Sequence, residues 1–181
     1  NKLTIKFSKK DKSYTFGKGH PAFNEVKINK ELNKLVNKNI TPHINIIFNN
    51  IVCDWSILQN IKLKKLGEWT NVLSPSMFYG QSYDKVSVNF IDLGHMDFYT
   101  YIKTGIKYNE FMYLLFQLYY TLACIQYHHP GFKHNDLKCD NILVFKPKTT
   151  KTNTFNEYKI YGKVFYFPTN CMQFKIMDFD F

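Results

Sequence analysis

The longest apolar run, "FMYLLFQLYYTLACIQ" from Phe111 to Gln126, constrains the fold most strongly. It contains two glutamines and falls short of the ~20 residues that a helix needs to cross a bilayer. The run predicts a buried helix over about Asn109 to His128, with Asn109 as N-cap and Glu110 favourable in the first turn. Pro130 and Gly131 mark its end, and His128 and His129 read as part of that end. A chain of 181 residues can bury such a helix, because a domain near this size hides roughly 70% of the surface its unfolded chain exposes. One domain, or two small lobes, is the expectation.

Around this helix the periodicity changes several times. "LTIKF" (Leu3 to Phe7) alternates apolar and polar residues as a half-buried strand does, and the lysine-rich "SKKDKSYTFGKGHP" that follows reads as a solvated connection. In "AFNEVKINKELNKLV", Ile28, Leu32, Leu35 and Val36 recur at three and four, which predicts an amphipathic helix flanked by Glu25 and Glu31. "TPHINIIFNNIV" reads as a strand entered through a proline turn. Residues 56 to 84 have no clean period and are assigned as an irregular insertion. "KVSVNFIDL" (Lys85 to Leu93) is a strand, Gly94 a break and "MDFYTYIKTG" a short helix. After the long helix, a charged loop runs into the strand "NILVF"; "KPKTTKTNTFNEYK" reads as a mobile loop, and "YGKVFYF" and "FKIMDF" as later strands. The element order is α+β.

Charge and cysteine usage exclude several function classes. The formal charge is +10 and all of the basic residues besides histidine are lysine, a bias that points to an AT-rich coding sequence more than to phosphate binding, where arginine's bidentate fork is better suited. The aromatic residues sit inside apolar runs and read as core, so no nucleic-acid partner is expected. Cys53, Cys124, Cys139 and Cys171 are far apart with no C-x-x-C spacing, so neither a zinc knuckle nor a disulfide framework is indicated. That usage fits a reducing, cytoplasmic setting. No signal peptide and no membrane span are read. The first residue is Asn and the last, Phe181, follows directly on a strand-like run, so missing flanks are expected on both sides.

The chemistry concentrates in "FKHNDLKCDNILVF", Phe132 to Phe145, and in "KIMDFDF" at the end of the sequence. An aspartate on a rigid loop beside a core can accept a proton from a hydroxyl, and an asparagine five positions later can bring its side-chain oxygen to a metal ion. Those are Asp136 and Asn141. Lys138, two after the aspartate, projects to the same side in an extended loop and can neutralise a transferring phosphoryl group. Asp178 can hold the same metal from a second loop. These are the components of phosphoryl transfer, where catalysis is chiefly positioning and charge neutralisation.

His134, Asp136, Leu137 and Asn141 resemble the catalytic-loop pattern H-R-D-L-x-x-x-N of the protein kinases, and Asp178 with Phe179 resembles the Asp-Phe of their D-F-G metal site. The style of the motifs is similar to that of divergent serine/threonine kinases of poxviruses and giant DNA viruses. The resemblance implies a two-lobed α+β fold present as a fragment, with a partial N-terminal lobe over residues 1–93 and the first part of the C-terminal lobe over 94–181. It implies ATP and Mg²⁺, or Mn²⁺, as cofactors, and a protein substrate phosphorylated on Ser or Thr; Lys138 favours these over Tyr. Lys6 in "LTIKF" would hold the nucleotide's phosphates and Glu25 would be its helix partner, with Glu31 as the fallback because it lies at a more typical distance from "TPHI", which resembles the family's H-P-N-I turn. In "VNFIDLGHMDFYTYI", Phe90 would be the gatekeeper, the backbones of Ile91 and Leu93 would bond the adenine, and Asp97 would reach the ribose or substrate. Leu143 would form the adenine floor, and His134 would support Phe179. The location implied is the host cytoplasm or the virion.

The departures from that pattern carry their own implications. Asn135 replaces the usual arginine, which removes the group that reads a phosphorylated activation loop. Asp180 replaces the glycine and adds a charge near the metal. The segment between Asn141 and Asp178 is much longer than usual, so the hairpin there is enlarged. Two alternatives stand beside the protein-kinase reading. One is a choline- or aminoglycoside-kinase-like phosphotransferase, whose motifs also read "HNDL"; the other is a non-catalytic pseudokinase scaffold. Oligomeric state is not legible.

Overall fold

The computed structural model describes residues 3–9, 21–54, 85–147 and 154–179. The irregular insertion read over 56–84, most of the solvated connection after Lys9, and Asp180 lie outside the described residues. Mixed α and β structure builds the rest.

The first sheet joins strands β1 (Leu3–Lys9), β2 (Ile47–Asp54) and β3 (Lys85–Asp92), antiparallel, in the order β1-β3-β2. Its register sets Lys6 opposite Asn89 and Ile5 opposite Phe90. Helix α1 (Pro21–Asn37) packs on this sheet through Val26, which clusters with Ile47 and Ile91. A second α1 stripe, Ile28, Leu32, Leu35 and Val36, faces the main core, as its spacing predicts. Between the two stripes run Glu25, Asn29 and Asn33, buried at intervals of four, and Asn33 donates to the Ile47 carbonyl at 2.9 Å. The helix closes on Asn39, whose φ of 55° lets the Ile40 N–H reach back to the Leu35 carbonyl at 2.9 Å.

The second sheet is β4 (Met96–Asp97), β5 (Ile142–Phe145) and β8 (Gln173–Ile176), in the order β4-β5-β8. Helix α2 (Phe98–Lys103) is capped by Asp97, and α3 (Tyr108–His128) lies against β8. The long helix starts one residue earlier than the sequence predicts. Its N-cap position is Lys107, with no side-chain cap bond, and Asn109 lies inside the first turn. Gln117 explains how a polar residue sits in so apolar a helix: its amide accepts from the Phe174 N–H at 2.8 Å and donates to the Met172 carbonyl at 3.0 Å. Leu114 and Ile125, each fully buried, anchor α3 to two different core clusters.

The third unit is a hairpin of β6 (Phe155–Ile160) and β7 (Lys163–Pro168). Part of the segment read as a mobile loop is therefore strand β6, and "YGKVFYF" begins with the turn rather than the strand. Tyr161 (φ 48°) and Gly162 (φ 73°) supply the two left-handed positions of a tight hairpin turn. The hairpin docks on α3 through Phe167 against Phe116, ring centroids 4.3 Å apart, and through the buried Tyr158. Among the described residues no helix is long and apolar enough to cross a membrane.

Candidate functional site

The charged loop leaves α3 through Phe132, enters a three-residue turn and becomes a 3-10 turn at Cys139–Asn141 before running into β5. In the first turn the Asp136 N–H donates to the His134 carbonyl at 2.7 Å, which places Asn135 at its centre with φ 59°. Asparagine tolerates this left-handed conformation better than most residues, so the backbone gives a local reason for Asn135.

Two predicted residues converge on the carboxylate of a third, Asp136. Lys138 Nζ lies 2.7 Å from Asp136 Oδ2, while the Asn141 amide donates to the Asp136 carbonyl at 2.8 Å and to Oδ2 at 3.0 Å. The lysine, first, and then Asn141 hold the Asp136 carboxyl below its ordinary range. In return Asp136 holds the Lys138 ammonium above its own, helped by Asp140 and Asp178. Asp178 thus belongs to the same electrostatic cluster although it comes from the far end of the sequence.

Backbone bonds make that juxtaposition. The Met177 N–H donates to the Asn141 carbonyl at 3.0 Å, and His134 Nε2 donates to the Met177 carbonyl, also at 3.0 Å. The next residue, Asp178, has φ 67°, a left-handed conformation that aspartate, like asparagine, adopts more readily than most residues, and Phe179 then turns fully into the core. Its ring lies 5.1 Å from that of His134 and 6.1 Å from that of Phe132. His134 therefore does contact Phe179.

The donor set suits a hard cation. Asn141 spends its amide nitrogen on Asp136, so the end turned away is its oxygen, and Asp178 offers carboxylate oxygens. A small number of protein oxygens, with water and phosphate supplying the rest of the shell, is the pattern that Mg²⁺ takes.

The remaining predicted residues are placed as follows. Glu25 is buried at 4% exposure, whereas Glu31 is exposed and bonded to Lys34. Lys6 holds a register position in β1 beside the centre of β3, and the expected pairing of its side chain lies outside the described residues. Phe90 is half-buried, and Ile91 is buried against Val26. Leu93 and Leu143 are both half-buried. Asp97 accepts from the Thr100 N–H at 2.7 Å and from its hydroxyl at 2.9 Å, and these bonds depress its carboxyl.

Two features escape sequence reasoning. Gly94 packs so tightly on β5 that a Cβ there would stand 2.9 Å from Leu143 Cβ, a contact that the reading of Gly94 as a break does not anticipate. Asp92 and Lys175, half-buried, pair at 2.7 Å and tie the end of β3 to β8; two single charges far apart in sequence give no signal of it.

Two proteins of Acanthamoeba polyphaga mimivirus, each provisionally named a serine/threonine-protein kinase, are similar in sequence. One is 32% identical over 77% of this chain and 43% of its own length; the other is 43% identical over 38% of this chain and 15% of its own length. The chain spans less than half the length of these relatives. No protein-family model matches it. The chain resembles the divergent serine/threonine kinases of giant DNA viruses.

Proposed function

We propose that the chain carries the catalytic core of an ATP-dependent serine/threonine protein kinase, in a two-lobed arrangement that divides after Leu93. The observation that carries this reading is the stitching of Met177 to both Asn141 and His134, which brings Asp178 to the Asp136–Lys138 pair. The names of the two viral relatives support the same class.

Asp136 orients a Ser or Thr hydroxyl and takes its proton as the hydroxyl oxygen bonds to the γ-phosphorus and the bond to the departing ADP breaks. Its depressed pKa keeps it ionised, suited to holding the hydroxyl until the proton becomes acidic late in transfer. Lys138, already beside Asp136, steadies charge on the phosphoryl oxygens. Asn141 and Asp178 would hold Mg²⁺, which supplies charge neutralisation to the nucleotide phosphates when bound. Buried Glu25, rather than the exposed Glu31, is the helix partner of Lys6 in this reading. In the same reading Phe90 is the gatekeeper, the backbones of Ile91 and Leu93 bond the adenine, Leu143 forms its floor, and Asp97 reaches the ribose or the substrate from the start of α2.

The test is transfer of label from ATP with Mg²⁺ by the full-length protein, offered a basic protein substrate, choline and an aminoglycoside in parallel. Label on serine or threonine of the protein is expected. Label on choline or the aminoglycoside alone would replace this reading with a small-molecule phosphotransferase, and no transfer to any of them would point to a scaffold.

A further inference from the structure

The enlarged hairpin between Asn141 and Asp178 is bonded through His43 to β8, the strand that leads into Asp178. Tyr158 of β6 is buried, and its hydroxyl lies 2.9 Å from His43 Nε2, with the two rings stacked 5.6 Å apart at 8°. His43 Nδ1 lies 2.8 Å from the Phe174 carbonyl in β8. A carbonyl only accepts, so Nδ1 carries the hydrogen; burial holds this imidazole neutral down to about pH 4, so Nε2 accepts and the Tyr158 hydroxyl donates. One tautomer satisfies both bonds.

The same segment grips β8 through its backbone. The Ile176 N–H donates to the His43 carbonyl and the Asn45 N–H to the Ile176 carbonyl, each at 2.9 Å. One residue further on, Met177 is held on the other side by Asn141 and His134. The end of β8 therefore lies between a clamp that reaches the hairpin and a clamp that belongs to the catalytic loop.

We propose that Tyr158 and His43 are positioning residues, a relay through which the inserted β6–β7 hairpin sets the placement of Asp178. This rests on the kinase reading of the site. Two consequences follow from reciprocity of coupling: loosening the hairpin weakens metal-nucleotide binding, and binding the metal-nucleotide tightens the hairpin.

Hydrogen exchange on the full-length protein, with and without MgADP, tests both. In the parent, MgADP should slow exchange at 134–141, at 173–178 and also in the hairpin at 155–167. Tyr158→Phe keeps the ring and loses the hydroxyl; it should abolish the hairpin response while leaving the first two, and raise the Kd for MgADP roughly two- to tenfold, the range for one buried hydrogen bond. His43→Asn, whose amide can still donate toward Phe174, should give the same result, and the double variant no more than either alone. Hairpin protection that is absent in the parent, or that persists unchanged in both variants, overturns the relay. Absence of protection at 134–141 instead overturns the kinase reading, and the relay with it.

Discussion

Replacing Phe179 by alanine removes the side chain that fixes Asp178 to the body of the protein. The ring has no exposed surface and belongs to a cluster with Leu32, Leu35, Ile44, Ile125 and Ile176. Burying a phenyl ring and then truncating it to a methyl costs ~3–5 kcal/mol, transfer and cavity combined. The contacts with His134 and Phe132, at 5.1 Å and 6.1 Å, are among those lost within that range, so about 4 kcal/mol, its middle, is expected in total. Set against a domain stability of ~5–15 kcal/mol, this is a large share. With a urea slope near 2 kcal/mol per molar, the unfolding midpoint should fall by roughly 2 M at unchanged slope. Phe179→Leu, which keeps most of the apolar volume, should fall by less than half as much. A loss under about 1 kcal/mol for the alanine variant would refute the reasoning, because the ring would then not be the anchor that its burial implies.

Gly94→Ala forces a Cβ to 2.9 Å from Leu143 Cβ, so strand β5 or the connecting backbone must shift; a cost of ~1–3 kcal/mol should lower Tm by several degrees, and an unchanged Tm would contradict the close approach. Lys138→Met removes the main cause of the depressed Asp136 carboxyl, so the acidic limb of kcat/KM should move to higher pH. His43 has a folded pKa of about 4 against an ordinary 6.5, so between those values the unfolded chain binds a proton that the folded one refuses. Its stabilising contribution is complete above pH 6.5 and falls as pH drops toward 4, by at most about 1.4 kcal/mol per pH unit; in acid-side unfolding curves His43→Asn should flatten that slope.

The charged loop was legible because its geometry is local. Asp136, Lys138 and Asn141 lie within a few residues of one another, and a short loop between a helix end and a strand leaves few ways to arrange them. Helix α1 was legible from its apolar stripe, yet the buried Glu25, Asn29 and Asn33 beside that stripe were not, since their burial depends on a sheet formed by distant residues. Strand β6 was missed for a related reason. "FNEYKI" offers a single deeply buried side chain, Tyr158, and lies in a run of lysine, threonine and asparagine that reads as solvated. What makes it a strand is pairing with β7 and docking on α3, both tertiary events. His43 looked like one residue of a proline turn, and its two bonds reach partners far along the chain. The N-cap was misplaced because an available asparagine outweighed a register set by packing.

The central claim is that Asp136 and Asp178 serve one phosphoryl-transfer site. It is tested most directly by measuring incorporation from labelled ATP into a serine- and threonine-containing protein by the full-length parent, Asp136→Asn and Asp178→Asn, each checked for a native unfolding transition. The account predicts transfer by the parent and a loss of at least ~10²-fold in each variant with folding intact. Two folded variants that phosphorylate as well as the parent would contradict it.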